Sequence, residues 1–265
     1  MPPLDIFLHI PKAGGITMYQ ILEHNYPPGS IWKVYPASWE DLQQEVGALP
    51  EERRARLRLV TGHIPYGVHT LLERPGRYFT ILREPGQRTL SYFHYVRSHA
   101  DNPQYAETQH MSLEEYVESG LLLDNGQVRW LANVPPSIGF QETTSAMLET
   151  AKQNLKTLAA VGLLERYDES LLVMKHVLGW RWLWYRKRNV NRQRELYQRV
   201  PDKVRQRILE IHALDVELYR YAQTLFEQQI ARIGQEAVQR ERAIFIRLNR
   251  LYALASRLRR LARVA

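Results

Sequence analysis

The sequence predicts an α/β fold in which helices flank a parallel sheet, followed by a helical C-terminal extension. Short apolar segments alternate with longer segments of helical pattern along most of the 265 residues, and this alternation is typical of a parallel sheet with helices on both faces. A glycine turn between the first apolar segment and the first helix indicates an anion-binding loop. We predict a main domain at residues 1–235 and a basic amphipathic helix at 236–265.

Length and composition narrow the class of protein. A chain of 265 residues is long enough for one sizeable α/β domain. The sequence has no apolar run of about 18 residues and no recognisable signal peptide, so we expect a soluble, cytoplasmic protein. It contains no cysteine, which excludes disulfides, thiol chemistry and zinc–thiolate sites.

Four apolar segments are predicted to form buried strands, at residues 4–10, 57–61, 78–82 and 159–164. Helices are predicted between and after them from capping residues, proline positions and apolar periodicity. Their expected ranges are residues 17–23, 38–56, a helix from Pro85, a short helix from Ser112, 143–157, 168–179 and 201–233.

Three candidate functional residues directly follow predicted strands: Lys12, His63 and Arg83. Ligands of parallel α/β sheets bind beyond the carboxyl ends of the strands. We therefore expect these three side chains to meet at one edge of the sheet.

The segment at residues 7–17, FLHIPKAGGIT, is predicted to be a strand, a glycine turn and a helix start. Gly14 and Gly15 allow a sharp turn that exposes backbone N–H groups, and Lys12 adds a positive charge. The lysine precedes the glycines, whereas a Walker A loop has the order G-x-x-x-x-G-K-[ST]. The order argues against an ordinary ATPase and for another phosphate-bearing donor.

Residues 9–17, HIPKAGGIT, resemble the 5′-phosphosulfate loop of sulfotransferases that use 3′-phosphoadenosine 5′-phosphosulfate (PAPS). The resemblance is to the carbohydrate-type group, including heparan sulfate 2-O-sulfotransferase-like enzymes. It implies a P-loop-like fold and a catalytic Lys12 that stabilises charge on the leaving oxygen. Ile16 departs from the family pattern, which usually has a small hydroxyl residue there. The donor-binding residues implied in this loop are Lys12, Ala13, Gly14, Gly15, Ile16 and Thr17.

The segment at residues 82–93, LREPGQRTLSYF, places an arginine at a strand end and a serine eight residues later. Two helical turns cover about 10.8 Å, a distance over which Arg83 can reach back toward Ser91. The segment resembles the 3′-phosphate-binding element of the same sulfotransferases, and an arginine fork suits a phosphate. The alternative is a surface arginine and a helix serine that never meet. We expect Arg88 to be a solvated helix residue.

The segment at residues 61–69, TGHIPYGVH, resembles a G-H-x-x-[YF]-G-x-H segment of bacterial and Golgi relatives, which implies that His63 is the general base. Histidine titrates near pH 7 and can accept the proton of an acceptor hydroxyl. The alternative for His63 is a packing role. We expect His69 to be structural or substrate-binding.

Residues 124–131, DNGQVRWL, resemble a segment that lines the acceptor cleft in the family, and the alternative is a capped turn that enters a helix. Whether Gln127 or Arg129 contacts the acceptor is therefore open. Asn189, Asn191 and Arg192 are further candidates to approach the nucleotide. The resemblance spans residues 4–228 and leaves the C-terminal tail outside.

The resemblance implies a PAPS-dependent sulfotransferase that transfers a sulfuryl group in line to a carbohydrate or related hydroxyl, releasing 3′-phosphoadenosine 5′-phosphate (PAP). Animal relatives are usually membrane-anchored, so the lack of an anchor suggests a bacterial version. None of the nine histidines has a metal-ligand spacing, so we expect no metal. The alternatives are a nucleotide-dependent kinase of P-loop-like fold and a non-catalytic binding protein that uses the basic tail.

The net charge of +8 is concentrated in the tail, because residues 232–265 hold nine arginines and two glutamates. We therefore expect no nucleic-acid binding by the main domain. Apolar residues recur along the tail at helical spacing, which predicts one apolar stripe. It packs on the core or on a second subunit of a homodimer, or it contacts an anionic membrane surface or an acidic glycan. The stripe is Ile244, Leu248, Leu251, Leu254, Leu258 and Leu261.

Overall fold

The computed structural model describes residues 3–186 and 196–261, with side chains described as far as residue 256. Asn189, Asn191 and Arg192 lie outside the described residues. Five strands form one sheet in the order β2-β3-β1-β4-β5, and every neighbouring pair is parallel. The strands are β1 (Leu4–Leu8), β2 (Ile31–Val34), β3 (Leu59–Gly62), β4 (Gly76–Leu82) and β5 (Ala160–Leu163).

Helices connect the strands and cover both faces of the sheet. In chain order they are α1 (Gly15–Asn25), α2 (Trp39–Gly47), α3 (Glu51–Arg56), α4 (Val68–Leu71), α5 (Pro85–Val96), α6 (Tyr105–Thr108), α7 (Leu113–Glu118), α8 (Gly126–Ala132), α9 (Ser145–Thr157), α10 (Tyr167–Leu178), α11 (Asp202–Ile211), α12 (Ala213–Ile233) and α13 (Gln235–Leu261). A 3₁₀ turn, Leu164–Arg166, joins β5 to α10. The predicted α/β class, a parallel sheet flanked by helices, is confirmed.

Local sequence cues account for several helix ends. The Ser38 hydroxyl accepts a 3.0 Å hydrogen bond from the Asp41 N–H and caps α2. Pro85 is the first residue of α5, where its missing N–H costs nothing, and the Glu84 carboxylate accepts the next two N–H groups. Gly179 follows α10 in the left-handed conformation that a helix C-terminus favours.

The structure differs from the predicted elements in several places. The edge strand β2 was not expected, because Lys33 interrupts its short apolar run. The helix expected to end at Arg56 is divided by Pro50 into α2 and α3. The helix expected from residue 201 to 233 is broken at His212, whose ring nitrogen Nδ1 accepts a hydrogen bond from Asn125.

The C-terminal helix α13 packs against α10 and α12, and its Val238 and Phe245 side chains are buried. The described part of the apolar stripe faces solvent, so the alternative in which the stripe packs on the core is wrong. Among residues 3–186 and 196–261, no helix is long and apolar enough to span a membrane. The division of the chain at residue 235 stays a prediction, and the break between α12 and α13 at Gly234 lies beside it.

Candidate active site

The carboxyl ends of all five strands lie along one edge of the sheet. Leu8 of β1 is level with Gly62 of β3, and Leu82 of β4 is level with Leu163 of β5. The chain moves from β1 outward to β2 on one side and later to β4 and β5 on the other, so the crevice expected for a ligand lies between β1 and β4. The residues that follow the five strand ends include Tyr35, His63, Lys12, Arg83 and Glu165.

The loop between β1 and α1 has the geometry of an anion cradle. Lys12 has φ of 69° and Gly14 has φ of 89°, and a left-handed lysine is uncommon outside sites that constrain it. Helix α1 begins at Gly15, and no side chain caps its first N–H groups. These donors and the positive end of the helix dipole are therefore directed at a ligand position beyond the loop.

The two glycines of this loop are required by close packing. A Cβ at Gly15 would lie 1.8 Å from His9 Nε2, and a Cβ at Gly14 would lie 2.8 Å from Leu164 Cδ1. Gly14 also has the positive φ that side chains disfavour. The loop shape thus depends on His9 and on the β5–α10 turn as well as on its own sequence.

Arg83 joins the two predicted phosphate-binding segments. Its guanidinium Nη1 donates a 3.0 Å hydrogen bond to the carbonyl of Lys12. The side-chain amide of Gln127 holds the Arg83 backbone, accepting from its N–H at 2.9 Å and donating to its carbonyl at 2.8 Å. Burial lowers the pKa of Arg83 to about 10, and the charges of Glu165 and Glu84 oppose that shift. Arg83 therefore stays charged at neutral pH and is fixed beside the loop.

Helix α5 presents Ser91 and Tyr95 one turn apart, which places them on the same face. The ammonium of Lys12 lies 3.9 Å from the centre of the Tyr95 ring. The Ser91 side chain is buried, and no hydrogen bond to its hydroxyl is present among the described residues. Burial, and then the charge of Arg83, lowers the pKa of Lys12 to about 8. Lys12 thus contacts both Arg83 and Tyr95, and Ser91 lies one helical turn before Tyr95 on the same face of α5.

His63 lies in a cluster of rings at the end of β3. Its ring centre is 4.9 Å from that of His9, 5.1 Å from that of Tyr35 and 6.0 Å from that of Trp130. Burial lowers the pKa of His63, so the imidazole is unprotonated at neutral pH and can accept a proton. The pKa of His9 is lowered to about 3 by burial and then by the neighbouring His63 and Lys12.

Arg88 is buried, so the prediction of a solvated residue is wrong. Its guanidinium packs where a Cβ of Gly126 would lie, and its Nη1 is 3.8 Å from the carboxylate of Asp215. Asp215 in turn accepts hydrogen bonds from the N–H groups of Gln127 and Val128 at the start of α8. This buried cluster fixes the helix that carries Gln127, and through Gln127 it fixes Arg83.

A model of the galactose-3-O-sulfotransferase family matches residues 22–261. The chain belongs to the galactose-3-O-sulfotransferase family. This confirms the resemblance to sulfotransferases drawn from the sequence. The matched residues include helix α13. The resemblance drawn from the sequence ended at residue 228 and left this helix outside.

Among curated proteins, the chain is similar to heparan-sulfate 6-O-sulfotransferase 2 of Danio rerio, with 26% identity over 303 residues that cover 90% of this chain and 62% of the relative. It is also similar to heparan-sulfate 6-O-sulfotransferase 3 of Mus musculus, with 27% identity over 296 residues that cover 89% of this chain and 60% of the relative. The chain thus spans about three fifths of the length of these relatives. Both are vertebrate proteins, and the expected bacterial source stays a prediction.

Among solved structures, the chain is similar to mouse sulfotransferase SULT7A1 complexed with PAP. The TM-score is 0.37 and the sequence identity is 16%, with 74% of this chain and 64% of that chain covered.

In this galactose-3-O-sulfotransferase family member, the roles assigned to Lys12, His63, Arg83 and Ser91 stay predictions, and the structure brings these residues to one edge of the sheet. The remaining loop residues, Ala13, Gly14, Gly15, Ile16 and Thr17, lie at the β1–α1 turn. Ile16 is 66% exposed and therefore has no packing role that would explain its departure from the family pattern.

His69 lies away from this edge. Its Nδ1 is 2.8 Å from the Tyr78 hydroxyl, and its Cβ lies beside Gly76 at the amino end of β4. Gln127 and Arg129 are also buried, and Arg129 donates to the carboxylate of Asp124 and to nearby carbonyls. His69, Gln127 and Arg129 therefore have structural roles. In the segment at residues 124–131, the ring of Trp130 lies near His63.

Several residues of the site were missed by the sequence reasoning. Tyr95 is four residues after Ser91, so helical spacing alone places it near Ser91 and was sufficient to suggest it. Tyr35 follows a strand that was not expected, and the contact between His9 and Gly15 is a tertiary feature with no local signature. Among the residues that the structure describes, no group of three or more histidine, aspartate or glutamate side chains is arranged to hold a metal ion.

Proposed function

We propose that this protein is a PAPS-dependent sulfotransferase that transfers a sulfuryl group to a hydroxyl of a carbohydrate. The observation that carries the proposal is the hydrogen bond from Arg83 to the Lys12 carbonyl, with His63 at the end of the strand on the other side of β1. Two candidate phosphate-binding elements and a candidate base therefore lie beside one crevice. Family membership supports the same activity.

The residues present fit a donor with two phosphate positions. The uncapped N–H groups of residues 14–17 suit the 5′-phosphate, because they combine unpaired donors with the helix dipole, whereas the Ala13 N–H donates to the Ile10 carbonyl. The fork of Arg83 and the buried hydroxyl of Ser91 suit the 3′-phosphate. When bound, PAPS supplies a sulfuryl group on a phosphate leaving group.

In the proposed mechanism, His63 accepts the proton of the acceptor hydroxyl while that oxygen attacks sulfur. Its lowered pKa keeps the ring nitrogen available as an acceptor at neutral pH. The Lys12 ammonium stabilises negative charge on the oxygen that bridges phosphorus and sulfur as the S–O bond breaks. Positioning and charge stabilisation supply most of the rate enhancement, by analogy with phosphoryl transfer.

The acceptor proposal is supported by the rings around His63. Tyr35 is exposed and Trp130 is partly buried, and both rings lie beside that of His63. Such rings offer apolar faces for the C–H groups of a sugar and polar edges for its hydroxyls. The family and the two curated relatives take their names from galactose and heparan sulfate, and these are the first acceptors to test. A cytoplasmic location is part of this proposal.

The kinase alternative requires a carboxylate that is available to hold magnesium at a strand end. Glu84 and Glu165 follow the ends of β4 and β5 and have structural partners: Glu84 caps α5, and Glu165 accepts from the Glu84 N–H and the Tyr219 hydroxyl. A non-catalytic binding protein that uses the basic tail would not need a candidate phosphate-binding loop beside His63. Neither alternative gains support from the described site.

The test is transfer of radiolabelled sulfate from PAPS to two acceptors, a galactose-terminated glycan and a desulfated heparan chain, with the full protein. We expect labelled product with at least one acceptor, and we expect PAP to raise the unfolding temperature more than ATP with magnesium does. Stabilisation by ATP with magnesium but not by PAP would overturn the proposal in favour of the kinase. Stabilisation by neither nucleotide, with no product, would reject both enzymes.

A further inference from the structure

The outward face of helix α13 carries a continuous apolar stripe. Ile244, Leu248, Leu251 and Leu254 are 58%, 44%, 61% and 58% exposed. Their spacing of three or four residues places them along one side of the helix. Elsewhere among the described residues, the large hydrophobic side chains with comparable exposure are scattered singly: Ile16, Tyr35, Leu123 and Leu209.

Contacts on the opposite face fix the orientation of the helix. The Phe245 ring stacks on Trp184 with ring centres 5.6 Å apart, and Asn249 Oδ1 accepts a 2.9 Å hydrogen bond from the Tyr185 N–H. Glu241 pairs with Lys175 at 2.8 Å. Rotation that buried the stripe would break all of these contacts, so the stripe faces outward in the folded protein.

The same surface is strongly positive. Arg240, Arg247 and Arg250 are exposed among the apolar residues. Residues 242–265 contain seven arginines and no aspartate or glutamate. The sequence beyond the described side chains continues both patterns, with Leu258 and Leu261 and four of those arginines.

We propose that this stripe of α13 lies on the surface of an anionic lipid bilayer. An acidic glycan would pair with the arginines but would leave the four apolar side chains in water. A second copy of this chain would cover the apolar side chains but would bring two surfaces of equal positive charge together. An anionic bilayer accepts the apolar side chains at its headgroup boundary and pairs its phosphates with the arginines.

The test is co-sedimentation of the full chain with vesicles of phosphatidylcholine alone and of phosphatidylcholine with one quarter phosphatidylglycerol. We expect binding to the anionic vesicles that weakens as salt is added, and little binding to the neutral ones. The double variant Leu248→Gln with Leu251→Gln should bind at least about tenfold more weakly. The double variant Arg247→Gln with Arg250→Gln should bind about twenty-five-fold more weakly, since each arginine contributes about fivefold near such a surface.

Matched controls separate the stripe from general surface changes. Leu209→Gln removes an exposed leucine from α11, and Arg53→Gln with Arg56→Gln removes two exposed arginines from α3. Both controls should bind as the wild type does. The substituted stripe residues are exposed, so unfolding temperatures should stay within a few degrees of the wild type.

Three results would overturn the proposal. They are equal binding to neutral vesicles, binding that is unchanged in the stripe variants, and no sedimentation with either vesicle. Sedimentation equilibrium then tests whether the stripe binds a second copy of the chain. A wild-type dimer that dissociates in the double variant Leu248→Gln with Leu251→Gln would assign the stripe to that second copy. PAP-induced stabilisation is measured on the same samples, so failure of this proposal is distinguishable from failure of the proposed enzymatic function.

Discussion

The ammonium of Lys12 lies over the Tyr95 ring, 3.9 Å from its centre. This contact joins the loop after β1 to the face of α5 that carries Ser91. It favours the charged form of the lysine, whereas burial and the neighbouring Arg83 disfavour that form and lower its pKa to about 8. The charge on Lys12 at neutral pH is therefore set by a balance in which Tyr95 takes part.

The first prediction concerns this balance. If the proposed reaction needs charged Lys12, kcat/KM falls as pH rises through about 8, the pKa of the free enzyme's lysine. Tyr95→Leu removes the ring and lowers that pKa, so the alkaline limb of the profile should move to lower pH by up to about one unit. Tyr95→Phe keeps a ring and should leave the limb near its wild-type position. Coincident profiles for wild type and Tyr95→Leu would show that the contact does not tune Lys12.

The second prediction concerns donor binding. Arg83→Ala removes the proposed phosphate fork together with the bond to the Lys12 carbonyl. PAP affinity measured by calorimetry should fall about tenfold to a hundredfold, the usual range for lost hydrogen bonds to a charged group. Arg56→Ala, which removes an exposed arginine of α3, is the matched control and should leave PAP affinity unchanged. Equal affinities in the two variants would remove Arg83 from the donor site.

The third prediction separates the two histidines of the TGHIPYGVH segment. His63→Ala should lower kcat about 10²-fold to 10⁴-fold, with PAP affinity within twofold of wild type, because a base contributes to turnover and not to donor binding. Since burial lowers the pKa of His63, the acid limb of the wild-type profile should lie below the ordinary histidine value of 6.5. His69→Gln should keep most of the activity, because His69 bonds Tyr78 at the other end of the sheet. Loss of PAP binding in His63→Ala would contradict the assignment.

The sequence was sufficient for the parts of the site that local patterns specify. The β1–α1 loop, Arg83 with Ser91, and His63 all follow apolar segments, and parallel strands bring such residues to one edge. Residues that act through tertiary contacts were not accessible in this way. Whether Gln127 contacts the acceptor was open from the sequence, and nothing in its local sequence indicates that its amide pairs with the Arg83 backbone.

Residue charge and helical periodicity also do not determine which side chains are buried, because tertiary packing decides this. Arg88 follows the polar spacing of an exposed helix residue, yet Gly126 provides the space that lets it lie inside the protein beside Asp215. The leucine stripe of the tail has the period of a buried face, yet Phe245 and Val238 form the face that is buried. Both faces of α13 are apolar, and periodicity does not say which one a neighbouring helix will cover.

The fourth prediction concerns the loop glycine that His9 touches. Gly15→Ala should lower the free energy of unfolding by about 1–3 kcal/mol and weaken PAP binding, because the added methyl group overlaps the His9 ring. Gly47→Ala, where a Cβ has open space, is the control and should cost little. Combining Gly15→Ala with His9→Ala should recover part of the loss, giving a coupling energy of at least about 0.5 kcal/mol in a double-mutant cycle. Additive losses would show that the ring is not the obstacle.

The fifth prediction concerns the buried His212, which should make the folded protein less stable at acid pH. Its Nδ1 accepts a 3.0 Å hydrogen bond from the Asn125 N–H, and its pKa is lowered from 6.5 to about 3 by burial and then by the charge of Arg88. Below pH 6.5 the unfolded chain therefore binds a proton that the folded chain does not, and stability is lost as pH falls toward 3. This residue alone should lower the free energy of unfolding by about 1.4 kcal/mol between pH 7.5 and 5.5.

His212→Asn supplies an acceptor oxygen near the position of Nδ1 but does not titrate. Urea unfolding at the two pH values should therefore show a smaller drop in the variant than in the wild type, by about 1.4 kcal/mol. His110→Asn changes an exposed histidine and should retain the full wild-type drop. Part of the drop should persist in His212→Asn, because His9 is also buried with a pKa near 3. A variant with the full wild-type drop would show that His212 is not kept neutral by the fold.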